Sequence, residues 1–116
     1  EHVQVAVRRY VPKDGTTSLE PHFDSVEMFG EPVLSVILRH DGDGDGLVLW
    51  PLKRKPAEGE AFAVAERPGT AVCLEGPSRY EFVHSVPPVS GERLSMSWRW
   101  FHPEYMQMLL EGSGEK

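Results

Sequence analysis

The chain has 116 residues, a formal net charge of -6 and a pI near 5.3. Its length sets one small domain, and its acidity rules against a broad, non-specific grip on a phosphate backbone. One cysteine, Cys73, excludes an internal disulfide framework and a cysteine-based zinc site; it sits in the apolar run Ala71-Val72-Cys73-Leu74, which reads as a buried structural thiol. Neither a signal peptide nor a transmembrane run is visible, so an intracellular location is the simplest expectation. The chain starts on Glu1 at the edge of a strand, as a domain cut from a longer protein would.

Ten prolines and eleven glycines disfavour long helices and favour short strands joined by turns. Val3, Val5 and Val7 alternate with Gln4, Ala6 and Arg8, which predicts a strand with one apolar face and with Arg8 and Tyr10 on the other. Residues 12–21 form a turn-rich loop. In His22-Phe23-Asp24, two residues apart on a strand, an imidazole and a carboxylate point the same way.

Val33 to Leu38 predicts a buried strand. Residues 40–46, HDGDGDG, place Asp at every second position, as a calcium loop does. They lack the later bidentate glutamate and flanking helices, and read as a hairpin turn. Leu47 to Leu52 is the return strand, and residues 53–60 form a charged loop. Its triplet Lys53-Arg54-Lys55 is a local basic patch, most simply a solvated turn. Phe62 to Ala65 and Thr70 to Leu74 read as short strands around a Pro-Gly turn.

Arg79 to Arg99 reads as two strands about a Pro-Pro and Ser-Gly turn, the first carrying His84. In the second, Arg93, Ser95, Ser97 and Arg99 share one face, and Leu94, Met96, Trp98 and Trp100 share the other, which is expected to be buried. If the polar face is shielded too, its arginine forks require an anion, and the strand is one wall of a pocket for a small acid; the plain alternative is a surface strand with two solvated arginines. Pro103 to Glu111 reads as a helix, so residues 1–102 form the core and 103–116 a helix and tail. About eight short strands without a repeat predict an all-β sandwich or jelly roll.

His22, Asp24 and His84 form a candidate 2-His-1-carboxylate set, a ligand triad that leaves other positions open on non-haem Fe(II) for dioxygen. A lone His on a strand is otherwise a satisfied core residue. The order H-x-D, then His, then R-x-x-x-x-x-R resembles the AlkB-like branch of the Fe(II)/2-oxoglutarate-dependent dioxygenases. Ser78-Arg79-Tyr80, His84-Ser85-Val86-Pro87 and Arg93-Leu94-Ser95 resemble the same family, and the likeness spans Arg8 to Arg99.

The resemblance implies a double-stranded β-helix (jelly roll) with a short C-terminal helix. It implies Fe(II) held by His22, Asp24 and His84, and 2-oxoglutarate held by Arg93, with Ser95 beside it and Tyr10 bonding to it. Arg99 would lie near the iron end of the cosubstrate. It further implies hydroxylation of a substrate C–H bond, with N-methylated bases of single-stranded nucleic acid favoured and demethylation as the outcome. A protein side chain, a small molecule, or a non-catalytic metal-binding role are the alternatives. The sequence departs from the family at Arg8 and Ser95, where Asn is common, and at Val26, where repair members carry an acid. The family's nucleotide-recognition lid precedes the core and is not expected within these residues.

Overall fold

The computed structural model describes residues 2–13, 15–43, 46–52 and 61–114. The predicted basic triplet Lys53-Arg54-Lys55, the rest of the charged loop, and Gly44 and Asp45 of the Asp-Gly turn lie outside the described residues.

The chain folds as an all-β jelly roll of two antiparallel sheets. The strands in order are β1 (Val3–Tyr10), β2 (Leu19–His22), β3 (Phe29–His40), β4 (Val48–Pro51), β5 (Phe62–Ala63) and β6 (Ala71–Leu74). A single helical turn, α1 (Pro77–Tyr80), precedes β7 (Phe82–Val86) and β8 (Arg93–Phe101), and the helix α2 (Pro103–Gly114) closes the chain. One sheet runs β1-β8-β3-β6 and the other β2-β7-β4-β5.

Most connections therefore pass from one sheet to the other. The strands β3 and β4 are not a hairpin pair, because β3 belongs to the first sheet and β4 to the second. The same holds for the Pro-Gly turn between β5 and β6 and the Pro-Pro turn between β7 and β8. A two-residue turn would force each pair into one sheet, whereas these longer connections let the chain cross. Arg79 and Tyr80 lie in α1 rather than on a strand, set there by Pro77 in the first helical turn.

Period two is kept along β1 and β8, but the buried side is the polar one. Tyr10 pairs with Arg93, Arg8 with Ser95 and Ala6 with Ser97, all turned toward the second sheet. Val3, Val5 and Val7 pair with Trp100, Trp98 and Met96 on the outer face. The valines are 44, 47 and 61 % exposed, and the expected apolar core face of β8 is only half-buried. Cys73, paired with Leu34 on that same outer face, is exposed rather than buried. The interior holds a small apolar cluster, Tyr10, Leu47, Val86 and Val89, with Leu19, Val64 and Val72 against it. It also holds a buried polar set of Asp24, Arg79, His84, Ser85, Arg93 and Ser95. Buried polar groups on this scale must be mutually satisfied or await a ligand. No helix among the described residues is long and apolar enough to cross a membrane.

Candidate metal centre and acid pocket

His22 closes β2 and stands directly opposite His84 on β7, with ring centroids 4.4 Å apart. Asp24 is not on the strand. The chain leaves β2 at His22 and turns, so the loop rather than strand alternation brings the carboxylate beside the two imidazoles. The three side chains offer ligand atoms that all lie within 4.8 Å of one another.

Two of the three candidate ligands are oriented by a neighbour. His22 donates from Nδ1 to the Glu20 carbonyl at 2.9 Å, which leaves Nε2 as the bare nitrogen. Asp24 accepts Arg99 Nε at Oδ1, at 2.9 Å. Its other oxygen, Oδ2, is buried, has no hydrogen-bond partner, and lies 3.7 Å from His84 Nε2. Burial first, then the nearby His22 ring, lowers the His84 pKa to about 4, so this imidazole is neutral at ordinary pH. A buried carboxylate oxygen without a partner is costly. Two imidazoles and that oxygen are a donor set of the kind that holds a divalent cation, and they fit Fe(II).

Arg79 builds the floor of this loop. It is 2 % exposed and donates to the carbonyls of Asp24, Ser25, Phe29 and Gly30, at 2.9, 3.3, 2.9 and 3.0 Å. Arginine meets four backbone acceptors at once because its fork carries five N–H groups. The loop that positions Asp24 thus closes on a side chain 55 residues further along the chain.

A cavity of about 60 Å³ lies between the sheets, lined among others by Tyr10, Arg8, His84, Arg93, Ser95 and Ser97. By the roughly 10–15 Å³ that each water requires, it has room for a few waters or for the carboxylate end of a small acid. Arg93, Ser95 and Tyr10 thus share one pocket with His84, one of the three clustered side chains. Burial raises the Tyr10 pKa, so the phenol stays a hydrogen-bond donor. The Arg93 guanidinium lies 5.0 Å from the Tyr10 ring centroid. Arg99 faces Asp24 instead, with Nη1 also donating to Gln4 at 3.1 Å. The arginines of β8 are therefore both ion-paired, Arg93 fully buried and Arg99 partly so. Arg93 is 4 % exposed and carries its own anion, Glu66, a residue that no sequence motif singles out. A larger groove, about 860 Å³, runs along α2, Trp100 and Phe101 and shares no lining residue with the acid pocket.

No model of a known protein family matches the chain. No curated protein matches it either. Among solved structures, the chain is similar to a prolyl-4-hydroxylase from Pseudomonas putida, with a TM-score of 0.57 and 19% identity. That match covers 88% of this chain and 54% of the hydroxylase, so the chain spans about half that protein's length. At this identity the likeness is one of fold: the two share the jelly-roll framework on which the His22, Asp24 and His84 cluster is mounted.

Proposed function

We propose that the chain is the core of an Fe(II)- and 2-oxoglutarate-dependent dioxygenase. The observation that carries this reading is the unpartnered, buried Oδ2 of Asp24 facing the His22 and His84 imidazoles. Bound Fe(II), with 2-oxoglutarate and dioxygen, supplies the oxidation that yields succinate, carbon dioxide and a hydroxylated substrate. This chain's residues hold and orient. Glu20 fixes the His22 tautomer, and Arg99 turns Oδ2 of Asp24 toward the cation. Arg93, Tyr10 and Ser95 offer N–H and O–H donors to the far carboxylate of the cosubstrate. Burial keeps bulk water away from Asp24, at 9 % exposure, and His84, at 7 %.

The substrate follows from the sequence resemblance. AlkB-like spacing favours an N-methyl group on a single-stranded nucleic-acid base, whose hydroxylated product releases formaldehyde. A second reading is a prolyl or other protein side chain, favoured by the fold neighbour, a prolyl-4-hydroxylase, and by the net charge of -6. Chain loaded with Fe(II) is expected to convert 2-oxoglutarate slowly to succinate without substrate. A methylated single strand or a proline-rich peptide should raise that rate, with formaldehyde or hydroxyproline as the respective product. No succinate from metal-loaded chain would overturn the dioxygenase reading. Stimulation by the peptide alone would replace the nucleic-acid reading with the second.

A further inference from the structure

Glu66 lies on the segment between β5 and β6, and its side chain is 1 % exposed. Its Oε1 accepts Arg93 Nε at 2.8 Å and its Oε2 accepts Arg93 Nη2 at 2.8 Å. Oε2 also accepts the Leu47 backbone N–H at 3.0 Å. His40 Nε2 stands 3.7 Å from Oε1, on a strand whose bulge between Ile37 and Arg39 shifts the pairing register. Gly46 makes room for this carboxylate, because a Cβ there would fall 2.3 Å from the Glu66 Cδ. Glu66 is thus a fixed part of the interior and not a side chain resting in an open pocket.

Its placement relative to the cavity is specific. Arg93 lines the cavity and Glu66 does not. Glu66 grips the Nε/Nη2 edge of the guanidinium from behind, and the remaining N–H groups are left for the Tyr10 side and the cavity. A fork with five N–H groups accommodates two carboxylates geometrically. Electrostatically it does not do so freely, because the two anions repel across a few ångströms of low-dielectric interior. Arg8 also lines the cavity, paired with Ser95 on the neighbouring strand, but it is exposed, so solvent screens its charge and Arg93 is the buried cation of the pocket.

We infer that Glu66 is a specificity-determining residue that shares the charge of Arg93 and so lowers the pocket's preference for a 2-oxo acid with a second carboxylate. This rests on the proposed function, since it concerns the far end of the same cosubstrate. An unshared, buried arginine would favour a dicarboxylate over its methyl-ended analogue by a large factor. With Glu66 behind it, Arg93 offers oriented donors and only part of a charge. The pocket then holds 2-oxoglutarate loosely and tolerates acids that lack the second carboxylate.

The test compares 2-oxoglutarate with 2-oxopentanoate, which has the same chain length and no far carboxylate, by calorimetry on Mn(II)-loaded chain. In Glu66→Gln the amide oxygen can keep the Arg93 Nη2 and Leu47 contacts, and the Arg93 Nε contact is given up because an amide NH2 donates and cannot accept. The negative charge is lost and the packing is kept. Affinity for 2-oxoglutarate should rise at least about tenfold, and that for 2-oxopentanoate should change less than about twofold. An equal change for both acids, or weaker 2-oxoglutarate binding, would overturn the inference. The unmodified chain gives a check that needs no variant. Its preference for 2-oxoglutarate over 2-oxopentanoate should lie below about a hundredfold, and a larger preference overturns the inference. If Mn(II) binds but neither acid does, in parent or variant, the dioxygenase reading itself fails.

Discussion

Arg99 donates from Nε to Oδ1 of Asp24 at 2.9 Å, and in doing so it selects the other oxygen, Oδ2, as the one left for a cation. Arg99 is not itself one of the clustered candidate ligands His22, Asp24 and His84. It holds the carboxylate in one rotamer, as partners behind metal ligands commonly do, and their loss typically costs 10–100-fold in metal affinity. Arg99→Gln should therefore weaken Mn(II) binding by about tenfold or more, while His84→Ala, which removes a ligand, should weaken it further. Calorimetry on the two variants checks the order. A His84→Ala variant that binds Mn(II) as tightly as the parent would show that the triad is not the site.

The apo chain should lose stability as pH falls from about 6.5 toward 4. Burial and the neighbouring His22 ring depress the His84 pKa from 6.5 to about 4. In that window the unfolded chain binds a proton that the folded chain refuses, so the unfolded state gains. The contribution is fully present above about pH 6.5 and is lost as pH falls through the folded pKa, with a total on the order of 3 kcal/mol. Urea denaturation between pH 7 and pH 4, compared for the parent and His84→Gln, isolates it. The slope with pH should flatten in the variant.

How much of this was legible in the sequence differs from residue to residue. His22 and Asp24 are near neighbours, and the shared face of Arg93, Ser95, Ser97 and Arg99 follows from strand alternation, so both groupings were readable. Alternation states which residues share a face but not which face is inside. The Leu94, Met96, Trp98 and Trp100 face of β8 read as the buried one because it is apolar, yet the interior here is polar, and Arg8 and Tyr10 of β1 took the inner side with Arg93 and Ser95. Cys73 was misplaced for the same reason, its run being apolar on both faces. Glu66 and Arg79 act across 27 and 55 residues, and no local pattern encodes a contact between segments that meet only when two sheets close. The sheet-crossing connections left no signal either, since Asp-Gly and Pro-Gly serve a hairpin and a crossing equally well.

Arg79 should be worth more to stability than any exposed arginine. Four carbonyls of residues 24–30 depend on it, and truncation to Ala or Met leaves several buried acceptors unmet. Each such group costs about 1–3 kcal/mol. Arg79→Met should lower the unfolding free energy by roughly 3–5 kcal/mol, and Arg79→Lys should recover only part of it, because an ammonium cannot span four acceptors. Metal binding should weaken in the lysine variant even where it stays folded, since the same loop carries Asp24. A lysine variant with parental stability and parental Mn(II) affinity would show that the loop does not depend on the clamp.

Arg93 has two partners to lose, one inside the protein and one that arrives. Arg93→Ala removes the cation that Glu66 grips with both oxygens, and a buried charge left alone costs on the order of 3–5 kcal/mol of stability. An arginine that served the cosubstrate alone would put that cost into binding, as a loss of a hundredfold or more in 2-oxoglutarate affinity. Shared with Glu66, the residue should divide its effect the other way. The fold is expected to weaken by several kcal/mol, and the affinity of the molecules that remain folded is expected to fall only about tenfold. The double variant Arg93→Ala, Glu66→Ala separates the two consequences, because it removes the orphaned carboxylate. Stability should then return toward the parent, while cosubstrate affinity stays low. Thermal unfolding and calorimetry on the same three proteins measure both. If the double variant is no more stable than Arg93→Ala, the buried pair is not what the first substitution broke.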